Sequence, residues 1–221
     1  MTARLALFDL DGTLVDSRRH ILVAMHAAFA AVDRPAPPQG AILATVGLSL
    51  PIVFERLAED CAPSDRARMR RAYMAAYRAE RERAPAPLFA GVAAVLAELA
   101  RRPGVRAGLA TGASRRGMEA MVAIHALDMA TVQCADDHPS KPDPAMIRAA
   151  LAEVSVAARD AVMIGDSVHD MAMARAAGLF ALGVGWGYQA PGELVAAGAE
   201  AIAETPAALL EILDGRWGID G

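Results

Sequence analysis

The sequence predicts an α/β protein whose core is a doubly wound parallel sheet, interrupted by one all-helical insertion. Three observations support this fold class. Short apolar runs alternate with helical patterns over the second half of the chain. Polar and glycine residues follow directly after several of those runs. Between residues 15 and 87 only helical periodicity occurs, and a chain of 221 residues is long enough for a core with one insertion.

The first predicted strand is Arg4–Phe8, an apolar run that leads into the polar sequence DLDGT. Such a run is typical of a buried parallel strand, whose carboxyl end brings side chains to a site. After it, Asp16 or Ser17 can cap a helix in which apolar residues recur at helical spacing, and prolines from Pro35 onward end this helix.

The inserted segment, residues 15–87, is predicted to be entirely helical. Its further helices are expected around Ile42, at residues 52–57 and at residues 64–83, after which Pro85 and Pro87 return the chain to the sheet. Residues 1–14 and 88–221 are assigned to the core. Ligands of such sheets bind outside the carboxyl ends of the strands, so the site is expected there.

After the insertion, strands and helices alternate as in a parallel sheet that is covered on both faces. The residues after Gly215 are expected to form a loose tail. The predicted elements are a helix from Gly91, a strand at 105–110, a helix from Ser114, a strand at 131–134, a helix from Asp143, a strand at 161–164, a helix from Ser167, a strand at 179–184, and helices near Glu193 and Pro206.

Composition and charge argue against several classes of protein. Charges and glycines interrupt every apolar stretch, so no segment reaches the ~18 residues of a membrane span. The amino terminus lacks a secretory signal pattern, and we expect a cytoplasmic protein that binds no membrane. The net charge of −4 argues against nucleic-acid binding, because the arginines of residues 66–83 alternate with acids and are expected to form a solvated helix face. Cys61 and Cys134 are expected to be buried, reduced thiols.

Two pairs of aspartates follow apolar strands. Asp9 and Asp11 stand two positions apart where the first strand gives way to a loop, so both can point toward one site. Packing alone does not account for them, because a buried carboxylate is costly unless it is paired or bound to a metal. Asp166 and Asp170 follow the strand at 161–164, and for them a helix cap is the competing structural interpretation.

Two further segments carry groups that can bind a phosphate. Thr111 and Gly112 offer a hydroxyl and backbone N–H groups at the start of a helix, although the same residues are common in turns. Lys141 precedes Pro142 in a loop between a strand and a helix. A lysine in a loop is usually solvated, but the proline restricts the backbone and can direct the ammonium inward.

The four segments together resemble the motifs of the haloacid-dehalogenase superfamily. The matching residues are FDLDGTLVDS, the threonine after a second strand, the lysine before proline, and GDSVHD. The insertion resembles the first-type cap of that superfamily, and VGLSLPIVFERL with GVGWGYQAPGELVAAGA is similar to its phosphoglycolate-phosphatase branch. The resemblance implies a Rossmann-like core with a helical cap, and a magnesium-dependent phosphatase that forms an aspartyl-phosphate intermediate.

The resemblance also implies roles for individual residues. Asp9 is the expected nucleophile and Asp11 the general acid and base. The residues expected to bind the transferring phosphoryl group are Thr111, Gly112 and Lys141. Mg²⁺ is the expected cofactor, because it prefers oxygen ligands and is shared between carboxylates and phosphate. Its expected ligands are Asp9, the Asp11 backbone carbonyl and Asp166, with Asp170 outside them, orienting Lys141 or a metal-bound water.

The expected substrate is a small phosphate ester, with phosphoglycolate as one candidate. Residues of the cap are expected to select this ester. Gly112 stands where relatives often carry Asn or Ser, and its backbone N–H should preserve the phosphate contact. His26 stands where phosphoglycolate-type relatives commonly have Asn, which leaves the substrate open. The candidate cap residues are His20, His26, Thr45, Gly47 and Ser49.

Other functions compete with this prediction. A phosphomutase of the same fold, similar to β-phosphoglucomutase, and a pyrophosphatase both stay open, as does the oligomeric state. A hydrolase that removes halides should need neither magnesium nor the second aspartate, and the presence of Asp11 and GDSVHD argues against it. An inactive binding module should have lost one of the expected catalytic residues, and all of them are present.

Overall fold

The computed structural model describes residues 3–218, which contain six strands and ten α-helices. The strands are β1 (Arg4–Phe8), β2 (Val105–Thr111), β3 (Val132–Cys134), β4 (Ala161–Gly165), β5 (Phe180–Val184) and β6 (Ala201–Ala203). The helices are α1 (Arg18–Ala30), α2 (Gln39–Leu43), α3 (Leu50–Leu57), α4 (Pro63–Arg83), α5 (Val92–Arg101), α6 (Arg115–His125), α7 (Ala145–Val154), α8 (Val168–Ala177), α9 (Pro191–Ala197) and α10 (Pro206–Trp217). None of these helices combines the length and the apolar character that a membrane span requires.

The strands form one parallel sheet in the order β3-β2-β1-β4-β5-β6. This order confirms the predicted doubly wound fold. The direction of winding reverses at β1, because β2 lies on one side of it and β4 on the other. A crevice opens at such a reversal, outside the carboxyl ends of the strands, and it is the usual place for a ligand.

Both faces of the sheet are covered, as the period-two pattern of a buried strand requires. Leu5 and Leu7 of β1 lie in a cluster with apolar residues of α7, α8 and α9. Ala6 and Phe8 point to the opposite face and join a cluster with α5, α6 and α10. The sheet therefore holds β1 rigidly between two cores, which fixes the position of the residue that follows it.

Helices α1 to α4 form the inserted helical unit, with an apolar cluster of their own that includes Met25, Phe54 and Met69. The two chain segments that join this unit to the sheet run side by side. The Asp16 N–H donates to the Pro87 carbonyl at 2.9 Å, and Val15 forms an antiparallel bridge with Leu88. The unit is thus connected to the sheet through one paired, two-stranded link.

The structure differs from the sequence prediction at several points. Strand β6 was not predicted, because three residues of alanine and isoleucine show no periodicity. The expectation of a loose tail after Gly215 is wrong for the described part, since α10 continues to Trp217, which is 7% exposed; residues 219–221 lie outside the described residues. Cys134 is buried as expected, whereas Cys61 is only partly buried, and both are free thiols.

Candidate active site

The acidic residues meet at the carboxyl ends of β1 and β4. Phe8 is the last residue of β1 and pairs with Ile164 of β4, so Asp9 and Asp166 follow neighbouring strand ends. The Asp9 N–H donates to the Ile164 carbonyl at 2.9 Å, which extends the strand pairing to the site. The sheet therefore places both carboxylates at its topological switch point.

Asp9 is 1% exposed and lies beside a buried ammonium group. The Nζ of Lys141 is 2.9 Å from Asp9 Oδ1. Among the described residues, however, neither carboxylate oxygen accepts a hydrogen bond of normal geometry. Burial raises the pKa of Asp9 well above its usual value; Lys141 opposes this rise, and the charges of Asp170 and Asp166 add to it. Asp9 thus keeps oxygen lone pairs available to a ligand.

Lys141 is held in place by Asp170. Its Nζ donates to Asp170 Oδ1 at 2.6 Å, and both side chains are buried. The other oxygen, Oδ2, accepts from the N–H and the hydroxyl of Ser167 at 3.1 and 2.6 Å, in a capping box at the start of α8. Although burial lowers the pKa of Lys141, the carboxylates of Asp170 and Asp9 outweigh burial and raise it. The lysine is therefore a fixed positive charge that points at Asp9.

Asp166 does not cap α8, because Ser167 is the N-cap residue. Its Oδ1 accepts from the Thr13 hydroxyl at 3.1 Å, and its Oδ2 accepts from the Tyr188 N–H at 2.9 Å. Burial, with the charge of Asp170 next, raises the pKa of Asp166 to about 7. Gly12 allows the close approach of this carboxylate: it has a φ of 91°, and a Cβ there would lie 2.2 Å from Asp166 Oδ2.

Asp9, Asp166 and Asp170 fit the requirements of a cation site. Each offers one carboxylate oxygen, and these three atoms lie within 4.8 Å of one another. Oxygen ligands of this kind suit Mg²⁺. Both oxygens of Asp170 already accept hydrogen bonds from Lys141 and Ser167, whereas those of Asp9 accept none within residues 3–218. Asp9 is therefore the acid in this group with free capacity for a ligand.

Asp11 follows Asp9 by two residues in the loop after β1 and is half-buried. The hydroxyl of Tyr77, from α4, donates to Asp11 Oδ1 over 3.4 Å. Burial raises the pKa of Asp11, whereas hydrogen bonds from Ser17 and Tyr77 lower it. The helical unit thus reaches the core at Asp11, a contact that the sequence did not reveal.

Thr111 and Gly112 lie at the end of β2, the neighbour of β1. Thr111 is 1% exposed, and its hydroxyl accepts from the Ala113 N–H at 3.1 Å. Gly112 lies against the loop before α3, and a Cβ on it would be 2.3 Å from the Gly47 carbonyl oxygen. A larger residue at this position would collide with the backbone of the helical unit.

A cavity of about 590 Å³ lies between the sheet and the helical unit. Asp9, Asp11, Thr111 and Gly112 line it from the core. Thr45, Gly47 and Ser49 line it from the loop between α2 and α3, and the Ser49 N–H donates to the Ser140 hydroxyl at 2.8 Å. The volume is within the range of ~300–1,000 Å³ that small-molecule sites occupy.

Comparison with known proteins assigns the family. The family model described as haloacid dehalogenase-like hydrolase matches residues 6–184. The chain belongs to this family. It is 34% identical over 212 residues to a Cupriavidus necator protein named "Phosphoglycolate phosphatase, plasmid", with coverage of 94% of this chain and 91% of the relative. A Rhodospirillum rubrum protein named "Phosphoglycolate phosphatase" is 32% identical over 194 residues, with coverage of 82% and 79%.

A solved structure agrees with this assignment. The crystal structure of a hydrolase from Pseudomonas syringae has a TM-score of 0.86 and 26% identity, and the match covers 97% of this chain and 99% of that chain. The names of the relatives confirm the resemblance to the phosphoglycolate-phosphatase branch. The haloacid dehalogenase-like fold therefore applies to nearly the whole described chain, including the helical unit.

Two of the predicted cap residues of this hydrolase do not line the cavity. His26 is exposed, because α1 turns Ile21, Met25 and Phe29 inward and leaves His26 on the outer side. His20 is buried, and its Nε2 is 2.8 Å from the Ala84 carbonyl oxygen. The structure thus brings together the core residues and the loop of residues 45–49, but neither histidine.

The sequence interpretation of α4 was incomplete. Its arginines were expected to form a solvated helix face, yet part of that face borders the cavity. The α4 residues that line the cavity include Arg70, Arg71, Tyr73, Met74, Tyr77, Arg78 and Arg81. Tyr73 and Tyr77 are four residues apart and stack with ring centroids 6.0 Å apart. In the sequence, the spacing of these two tyrosines on one helix face was the available indication that this face is not simply solvated.

Proposed function

We propose that the protein is a magnesium-dependent phosphatase that hydrolyses a small phosphomonoester through an aspartyl phosphate on Asp9. The observation that carries the proposal is the environment of Asp9. Its carboxylate is buried at a cavity, 2.9 Å from the Lys141 ammonium, with oxygens that accept no hydrogen bond of normal geometry from residues 3–218. A carboxylate in that state can act as a nucleophile.

In the first step, an oxygen of Asp9 attacks the phosphorus atom, and the bond from phosphorus to the ester oxygen breaks. Asp11, protonated at the start, gives its proton to the departing oxygen, so the alcohol leaves neutral. The raised pKa of Asp11, which burial causes, favours the protonated form that this step needs. The hydroxyl of Tyr77 orients the Asp11 carboxyl group.

In the second step, Asp11 takes a proton from a water molecule, whose oxygen attacks phosphorus. The bond between phosphorus and Asp9 then breaks, which releases inorganic phosphate and restores both carboxyl groups. Thr111, the Gly112 N–H and Lys141 bind the phosphoryl oxygens during both transfers. Lys141 suits this role because Asp170 fixes its position and the carboxylates keep it protonated.

Asp9, the Asp11 backbone carbonyl and Asp166 would hold Mg²⁺, and Asp170 would position Lys141. When bound, the ion would supply positive charge that stabilises the negative phosphoryl oxygens. The acidic cluster supports this proposal, since three carboxylate oxygens lie within 4.8 Å of one another. Thr13 and the Tyr188 N–H keep the Asp166 carboxylate oriented toward the cluster.

We propose further that residues 15–87 act as a lid over a core formed by residues 1–14 and 88–221. The paired link at Asp16 and Pro87 supports these boundaries. The two chain segments that join the helical unit to the core lie side by side there and can serve as a hinge. A closed lid would exclude water that is not part of the reaction. It would also restrict the substrate to a small molecule, and the relatives' names make phosphoglycolate the first compound to test.

The test is a screen with released phosphate as the readout. The panel contains phosphoglycolate, sugar phosphates, nucleoside monophosphates, pyrophosphate and a phosphopeptide, compared by kcat/KM. Asp9→Asn should abolish turnover, and Asp128→Asn, at an exposed position, should not. Activity of Asp9→Asn within about tenfold of wild type, equal to ~1.4 kcal/mol, would overturn the mechanism.

The compound with the highest kcat/KM decides between the remaining alternatives. A preference for the phosphopeptide would contradict the lid. A preference for a sugar phosphate or pyrophosphate would remove only the assignment to phosphoglycolate. A requirement for a sugar bisphosphate activator would identify a phosphomutase, which passes the phosphoryl group from Asp9 to a sugar and not to water.

A further inference from the structure

The arginines of α4 differ in whether they have partners. Arg68 and Arg83, which do not line the cavity, bond to Asp65 and the Ala31 carbonyl and to Glu80, respectively, and Arg78, which lines it, pairs with Glu82. Arg70, Arg71 and Arg81 border the cavity, and among the described residues none of the three makes an ion pair or a side-chain hydrogen bond. The helix thus leaves positive charge uncompensated on its cavity side.

The cavity side of α4 also changes character along its length. Tyr77 contacts Asp11, and beyond it Arg78 and Arg81 continue the cavity lining. One turn earlier, Tyr73 and Met74 border the cavity, and Met74 is 55% exposed. Arg70 lies seven residues before Tyr77, which is about 10 Å along the axis at ~1.5 Å per residue. From Tyr77 toward the amino end of α4, the order is therefore catalytic acid, apolar surface, positive charge.

We propose that Arg70 and Arg71 bind a second anionic group of the substrate, a carboxylate or a further phosphate, at the end of the molecule remote from the reacting phosphoryl group. The carbon skeleton then lies along Tyr73 and Met74. The substrate is a phosphomonoester longer than a two-carbon acid, and a cavity of about 590 Å³ has room for it. This inference rests on the proposed phosphatase activity and refines its substrate.

Two matched series of compounds test the proposal. One consists of phosphate monoesters of ω-hydroxy carboxylic acids with two to six carbons, and the other of n-alkyl phosphates of the same lengths. For wild type, kcat/KM should favour the acid over its alkyl partner increasingly with length, by at least tenfold at the longest members. Arg70→Gln with Arg71→Gln should remove most of that preference while leaving the alkyl phosphates within about twofold.

Arg68→Gln is the matched control, because it removes one charge from the same helix at a residue that does not line the cavity. It should keep the preference for the long acids. An equal loss for acids and alkyl phosphates in the double variant, or a preference that does not depend on length, would overturn the subsite but not the phosphatase. If wild type releases phosphate from neither series but from another ester of the screening panel, the subsite fails and the phosphatase stands; release from no ester at all would overturn both.

Discussion

The contact between Gly112 and the loop of residues 45–49 offers a test of how closely the helical unit must approach the core. A Cβ on Gly112 would lie 2.3 Å from the carbonyl oxygen of Gly47 and 2.7 Å from that of Leu48. Both are backbone atoms, so no side-chain rotation can relieve the collision. In Gly112→Ala the loop must retreat by roughly 1 Å to reach an ordinary contact distance.

The size of the effect follows from where the collision occurs. Forcing an extra carbon into a well-packed contact costs about 1–3 kcal/mol. If only the closed arrangement carries this cost, the ratio of closed to open molecules falls by about 5- to 150-fold, since ~1.4 kcal/mol is tenfold. Opening of the proposed lid would relieve the collision without unfolding either part. We therefore expect kcat/KM to fall by up to that factor while Tm changes by little.

The assay compares kcat/KM for the preferred phosphate ester with Tm from thermal unfolding. Gly192→Ala is the control, because a Cβ there would meet no atom within 4 Å. It should change neither quantity appreciably. If Gly112→Ala keeps kcat/KM within twofold of wild type, the close approach of the loop is not part of the catalytic cycle. A large fall in Tm with unchanged activity would show that the contact serves stability alone.

Three further outcomes are expected. A chelator should remove activity and Mg²⁺ should restore it, whereas Ca²⁺ should inhibit, because Ca²⁺ is larger and its often bidentate binding would occupy the attacking oxygen of Asp9. Full activity in excess chelator would refute the metal proposal. Tyr77→Phe should lower kcat about 2- to 10-fold, the equivalent of one hydrogen bond to Asp11, with Tm nearly unchanged; an unaltered kcat would remove Tyr77 from the mechanism. Trp217→Ala should destabilise the fold by roughly 3–5 kcal/mol in denaturant titrations, since the side chain packs in the main core; a loss below about 1 kcal/mol would show that the end of α10 is held weakly.

The sequence predicted the core of the site well for a topological reason. Asp9 and Asp166 each follow a continuous apolar run, and parallel strands must place such residues at one edge of the sheet. Their proximity therefore required no knowledge of distant packing. The local pattern also located Thr111, because a polar residue directly after an apolar run must lie at that edge. Lys141 lies seven residues beyond the end of β3, and only the proline after it singled it out.

The cavity side of the helical unit could not be predicted in the same way. Helix α4 is polar on most of its surface, with Met69 its one fully buried residue, so periodicity does not distinguish solvent from a cavity. Which side faces the core depends on how the insertion folds back through the link at Val15 and Leu88. The contact of Tyr77 with Asp11 arises from that tertiary arrangement and not from any local signal.

The balance of buried charge supports the proposed cation beside the lysine. Asp9, Asp166 and Asp170 are buried, and Lys141 is the one buried ammonium or guanidinium among residues 3–218. With all groups ionised, three negative charges face one positive charge. A phosphate monoester brings further negative charge, which Lys141 alone cannot offset in a site with little water. A divalent cation at the acidic cluster would remove this excess, so we expect the ion to bind before, or together with, the ester. Burial is the main reason why the pKa of Asp9 is raised and that of Asp166 is brought to about 7, and the charges of the neighbouring acids add to both rises.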